Sequence, residues 1–204
     1  MQTRAQCRVW RRAPQGALPR LDTNGAASDD ARVRFKHLGM LLICVSTLLA
    51  SAVVAFAKTY DVPGALGAAL QRTDDRTPLA ILLPSRLALD FDGRTYASGN
   101  GSSRSYGLSL TGAPNCGANA CLLVTFKAER GGRPQFRRTV ALRGGRTGYF
   151  KPLTCGGSCS PPIIQWVSRG NLYTIQAKVP DSTDAGQRRR LVAAANSALA
   201  AGPR

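Results

Sequence analysis

Four cysteines carry the clearest chemistry in this chain of 204 residues: Cys116 and Cys121 enclose Gly117, Ala118, Asn119 and Ala120, and Cys155 and Cys159 enclose Gly156, Gly157 and Ser158. Two close pairs suit either short disulfide loops or, in a reducing compartment, the four thiolates of a zinc site. The small residues inside each pair let a local loop close tightly. The chain-entropy argument assigns each local loop about 2 kcal/mol, against about 4 kcal/mol for a crossed loop of roughly 40 residues. Compartment decides between sulfur–sulfur and sulfur–metal bonding, because thiols meet oxidants outside the cytoplasm. Cys7 and Cys44 lie well upstream of all four and belong to neither pair.

The second group with chemical character is a run of cations. Between Lys127 and Lys151 stand Arg130, Arg133, Arg137, Arg138, Arg143 and Arg146, against the single acid Glu129. A guanidinium offers a planar donor fork to phosphate or carboxylate, which makes Arg137, Arg138, Arg143 and Arg146 the candidate anion-binding residues, projecting from one end of a sheet. The competing reading is that these charges keep an edge hairpin soluble and unpaired.

Catalysis has little to work with. His37 is the sole histidine and no Gly-x-Ser-x-Gly elbow occurs, so the chain is read as a non-enzyme without cofactor or metal. Asp90, Phe91, Asp92 and Gly93 resemble the opening of a calcium loop, but the further acidic ligands and the closing glutamate are missing. Asp90, Asp92 and Glu129 are read as loop and surface charges.

The compartment is set by residues 38–57, the long run without a charged residue. At ~1.5 Å per residue a helix of this length reaches ~30 Å, enough to span a bilayer or to serve as the apolar part of a signal peptide. Arg32, Arg34, Lys36 and His37 crowd its N-terminal side, which keeps that side cytoplasmic and exports the C-terminal part of the chain. Ala55 and Ala57 occupy the positions a signal peptidase reads, so one expectation is cleavage before Lys58; the length of the run supports the other, an anchored transmembrane helix. Leu42 and Ile43 before Cys44 do not suit a lipid-modified cysteine. Residues 1–37 read as a disordered basic leader with Pro14, Pro19 and little periodicity, and a start at Val33 would leave an ordinary short n-region.

Beyond residue 57 the chain is long enough for one domain, with 20 basic and eight acidic residues, an excess of twelve positive charges. Such charge outside the cytoplasm suits an anionic envelope polymer or membrane surface, and extracellular nucleic acid less well. Of the 28 basic residues 23 are Arg, a bias that GC-rich coding alone would also produce. Residues 58–76 are read as a juxtamembrane linker or short helix, with Asp61 as cap and Pro63 in the first turn. Residues 77–204 form the exported domain. Within it, residues 79–89 predict a strand broken at Pro84 and residues 90–105 a loop.

Period-two alternation predicts strands at residues 106–110 and 122–127. A hairpin over residues 139–153 turns at Gly144 and Gly145, and a second pairs residues 163–167 with 172–179. Leu191, Ala194, Ala195, Ala198 and Leu199 form the stripe of a terminal amphipathic helix, with Gly202 and Pro203 as its stop. The fold expected is α+β: a twisted antiparallel sheet of about five to seven strands packed by one C-terminal helix, with Trp166, Tyr173 and Leu191 in the layer between them. An N-terminal signal or transmembrane helix precedes it.

Residues 148–175, with Cys155, Cys159, Trp166 and Tyr173, and residues 191–204 resemble a group of uncharacterised bacterial secreted proteins. Those proteins share a two-cysteine loop, a Trp hairpin and a terminal ANSA-type helix. Trp166, Gly170 and Tyr173 are also similar to sheet domains on the outer side of some membrane-anchored regulators. Such regulators hold a transcription factor with a cytoplasmic domain, and none of that kind is expected from residues 1–37. Neither resemblance brings an activity. The expected function is an exported cell-envelope binding or structural module, with a single-pass extracytoplasmic sensor as the alternative.

Overall fold

A computed structural model describes residues 57–204, so the expected leader and the apolar run apart from Ala57 lie outside the described residues. Among the described residues no helix is long and apolar enough to cross a membrane. The elements in order are β1 (Lys58–Asp61), α1 (Val62–Asp74), β2 (Arg86–Leu89), β3 (Tyr96–Gly101), β4 (Ser105–Thr111) and β5 (Leu122–Arg130). Then come β6 (Thr139–Leu142), β7 (Arg146–Lys151), β8 (Thr154–Cys155), β9 (Cys159–Ser160), β10 (Ile163–Ser168), β11 (Asn171–Ala177) and α2 (Asp184–Ala201). Seven strands make one antiparallel sheet in the order β3-β4-β5-β11-β10-β7-β6, while β1 with β2 and β8 with β9 form two small ribbons.

Alternation gives the large sheet one apolar face. Leu108, Phe126, Ile175, Ile164 and Phe150 lie opposite one another across β4, β5, β11, β10 and β7, and all are buried. At about 1.5–3 kcal/mol per buried side chain, this row is a large share of what holds the strands in register. A parallel row carries Tyr106, Ala128, Tyr173 and Trp166, whose last two rings stack with centroids 5.6 Å apart. Trp166 Nε1 is buried without a hydrogen-bond partner.

Helix α2 lays Leu191, Ala194, Ala195 and Ala198 on this face, against β6, β10 and β11. Thr183 caps it, its hydroxyl oxygen accepting from Gly186 N at 3.1 Å. Asp181 in turn accepts from Thr183 N at 3.0 Å and Oγ1 at 2.8 Å, bonds that hold its carboxyl below the usual carboxylate range. The stop falls at Gly202, whose φ of 75° a glycine adopts without strain.

The short helix expected within residues 58–76 is present as α1, with Pro63 in its first turn, although Asp61 makes no side-chain hydrogen bond as its cap. It is not a spacer: it buries Val62, Leu66, Ala69 and Thr73 and packs on β3 and β4, so two helices rather than the one expected cover the apolar face. Residues 90–105 contain β3, an edge strand whose Gly, Ser and Asn content hides its pairing with β4. The glycines are there for contact: a Cβ on Gly99 would meet Leu108 Cδ2 at 2.7 Å and the Ala69 carbonyl at 2.9 Å, and one on Gly101 would meet the Thr73 carbonyl at 2.7 Å.

Residues 79–89 are not one broken strand. Only β2 is strand, pairing with β1, and residues 79–85 run irregularly with Leu79, Ile81, Leu82 and Leu83 buried. Buried irregular backbone needs hydrogen-bond partners from elsewhere. Two core tyrosines supply them: Tyr173 Oη donates to the Ala80 carbonyl at 3.1 Å and Tyr106 Oη accepts from Leu82 N at 3.2 Å. Burial pushes both phenols above their ordinary pKa, so the hydroxyls stay protonated. Arg204 N donates to the Ile81 carbonyl and Ser85 N to Ser197 Oγ, tying the same segment to the end of the chain and to α2.

The close seat of α1 on β3 has a measurable consequence. Gly99→Val forces a branched side chain into that contact and is expected to lower the unfolding free energy by about 1–3 kcal/mol in urea titration. Ser98→Val, at an exposed neighbouring position, should change it by less than ~0.5 kcal/mol. Equal stability of the two variants would show that α1 does not rest on these glycines.

Candidate functional site

Antiparallel pairing sorts the strand ends into two groups. At one end lie the end of β5, the start of β4, the β10–β11 turn and the β6–β7 turn; at the other lie the start of β5, the end of β4 and the start of β10. Both cysteine loops occupy the second end. Cys116 pairs with Cys121 in the β4–β5 connection, and Cys155 with Cys159 between β8 and β9, where the two residues face each other directly. The pairs are therefore local disulfides, and the zinc alternative is set aside for these thiols. Among the described residues no group of three or more His, Cys, Asp or Glu side chains is arranged to hold a metal ion. The stretch from Asp90 to Gly93 serves packing: Phe91 rests against the core and its carbonyl accepts from Tyr60 Oη at 2.9 Å.

The first end collects arginines from separate turns. Arg104 precedes β4, Arg130 ends β5, Arg169 lies in the β10–β11 turn, and Arg143 and Arg146 flank the β6–β7 turn. Arg130 N donates to the Arg104 carbonyl at 2.9 Å, so these two residues are neighbours. The four arginines singled out from sequence are not brought together. Arg137 and Arg138 sit before β6 at the disulfide end, and five strand steps of about 3.3 Å put Arg138 roughly 16 Å from Arg143. Arg138 is also engaged, with Asp184 at 3.6 Å and its guanidinium over the Phe150 ring at 5.5 Å. Arg143 N donates to Asn196 Oδ1 at 2.8 Å, and Arg146 Nη1 to the Arg143 carbonyl at 3.4 Å, which fixes the turn against α2. The expectation of positive φ at the hairpin holds, at 68° for both Gly144 and Gly145.

The face of the sheet away from the helices is mostly polar, with Ile163, Val167 and Leu172 among its aliphatic members. Across β3, β4, β5, β11 and β10 one row reads Asn100, Gly107, Lys127, Thr174 and Gln165, and the next Ser98, Ser109, Thr125, Gln176 and Ile163. Residues 131–138 cross this face on the way from β5 to β6. Gly132 lies against Leu172 of β11, Gln135 N donates to Gln165 Oε1 of β10 at 2.9 Å, and Phe136 meets Lys151 of β7, with Nζ 5.8 Å from the ring centroid. Gln165 is buried beneath the crossing and returns a bond from Nε2 to Thr174 Oγ1 at 3.3 Å.

Between this strap and strands β4 and β5 lies a groove of about 630 Å³, with Arg104, Lys127 and Arg130 among its lining and Glu129 as its acid. A second hollow of about 340 Å³ adjoins it beneath the Cys116–Cys121 loop. Lys127 and Arg130 belong to the basic run visible in the sequence. Arg104 lies outside that run, and strand order alone reveals that it joins them.

The disulfides are open to direct measurement. Peptide mapping without reduction should recover each pair within one short segment, and replacing Cys155 and Cys159 together with Ala should lower the unfolding free energy by about 2 kcal/mol. Peptides linking the two loops to each other would contradict the local pairing. Comparison of this chain with protein-family models, with curated proteins and with solved structures finds no match.

Proposed function

We propose that this chain is an exported cell-envelope binding module that docks an anionic polymer or surface on the open face of its sheet. The observation that carries the reading is the groove on that face: a volume of about 630 Å³ over a mostly polar floor, walled by the 131–138 strap and rimmed by the exposed cations Arg104, Lys127 and Arg130. A sheet face that served structure alone would be solvated evenly. Here a crossing segment stands along one side and a disulfide loop at one end of a floor that is mostly polar, with Ile163 and Leu172 among its lining. Two local disulfides support an oxidising compartment, in keeping with the export expected from residues 38–57. The sensor alternative would use the same face with the chain retained at the membrane.

Salt dependence and location are the test. Binding of the full chain to immobilised polygalacturonate and to phosphatidylglycerol vesicles should weaken steadily as salt rises. Three screened contacts of ~0.5 kcal/mol each make the combined Arg104→Ala, Lys127→Ala and Arg130→Ala variant about tenfold weaker. Arg143→Ala with Arg146→Ala should bind as before. Loss in the turn variant alone would move the site to the β6–β7 hairpin, and absence of binding at low salt would overturn the proposal.

A further inference from the structure

We infer that the polymer matched to this face is an acidic polysaccharide, a hydroxyl-rich chain carrying carboxylates, laid along β5 from the Cys116–Cys121 loop toward Arg104 and Arg130. The inference rests on the open-face reading above and specifies its ligand. The two hollows share Thr125, Lys127 and Gln176 and so form one trough. It follows a strand of nine residues, about 30 Å, which is a length for a chain rather than a single sugar.

The distribution of charge in the trough separates ligand classes. A polyphosphate carries dense negative charge with no hydroxyls between and calls for cations along the whole path, whereas an acidic polysaccharide sets its carboxylates a sugar apart with hydroxyls between them. Here the cations stand at Lys127 and at one end, while much of the remaining floor is polar and uncharged, with Asn100, Ser109, Thr125, Thr174 and Gln176 beside the aliphatic Ile163 and Leu172. Hydroxyls and carboxamides both donate and accept, which is what sugar hydroxyls require of a partner. Ser109 Oγ and Thr125 Oγ1 already share such a contact at 3.3 Å. Glu129 beside Ser105 is a pure acceptor, suited to hydroxyl donors and repelled by a dense polyanion.

Phe136 supplies an aromatic ring. Its half-buried ring lines the groove, and an aromatic face attracts the partly positive C–H groups of a pyranose. A membrane is a poor fit by the same inspection, since among the described residues the exposed large hydrophobic is Val167.

The experiment compares four probes on the full chain at one low salt concentration: polygalacturonate, neutral dextran, inorganic polyphosphate and phosphatidylglycerol vesicles. Polygalacturonate should bind about tenfold or more tighter than the other three, the gain expected when charge, hydroxyl and ring contacts act together. Phe136→Ala and Asn100→Ala should each weaken polygalacturonate severalfold and leave polyphosphate unchanged. Asn100 is exposed on an edge strand, so that variant keeps the test sound if the strap depends on Phe136 for folding. If polyphosphate or vesicles bind as tightly as polygalacturonate and neither variant discriminates, charge alone is recognised: the open-face reading survives and the saccharide inference falls. If no anionic probe binds, both fall.

Discussion

The burial of Leu108, Phe126, Ile175, Ile164 and Phe150 in one row across five adjacent strands is the constraint on which the rest of the domain depends. Side chains alternate along a strand, so a slip of one residue would turn the whole row to water. With register fixed, the apolar face has to be covered, and α1, α2 and residues 79–85 fill it. The connection from β5 to β6 is then left with the other side. It crosses β11, β10 and β7 over Leu172, Gln165 and Lys151, and in doing so raises one wall of the groove. The candidate binding face is thus a by-product of where the core lies.

Antiparallel order also separates chemistry along the strands. Loops that alternate in sequence fall at opposite ends, which puts both disulfides at one end and Arg104, Arg130, Arg143, Arg146 and Arg169 at the other. Each bridge closes a loop of a few residues, so it stiffens its own turn rather than linking distant parts of the sheet. The Cys116–Cys121 loop lines the hollow at one end of the trough.

How much of this was legible in the sequence depended on whether the signal was local. Tyr173, Ile175 and Ala177 alternate with polar residues, and Leu191, Ala194, Ala195 and Ala198 keep a helical spacing; strand β11 and helix α2 were therefore readable. The hairpin at Gly144 and Gly145 was readable because its turn demands positive φ. Strand β3 was not, because Gly99 and Gly101 answer to a helix packed on them, a partner remote in the chain. Residues 79–85 looked like a strand since they are apolar, but their backbone is satisfied by the hydroxyls of Tyr106 and Tyr173. Among the cations, adjacency in sequence pointed to Arg137, Arg138, Arg143 and Arg146, whereas adjacency in space joins Arg104 to Arg130 through the pairing of β4 with β5.

The central claim is that ligand meets the sheet on the face away from the helices. Titration of the isotopically labelled protein with polygalacturonate, monitored by amide chemical shifts, tests it residue by residue. The account predicts saturable shifts at Ser105, Lys127, Gln165 and Thr174 and along the strap at Gln135 and Phe136, with α1 and α2 unmoved. Shifts confined to α2 or to the turn between Arg143 and Arg146, or none at saturating polymer, would contradict it.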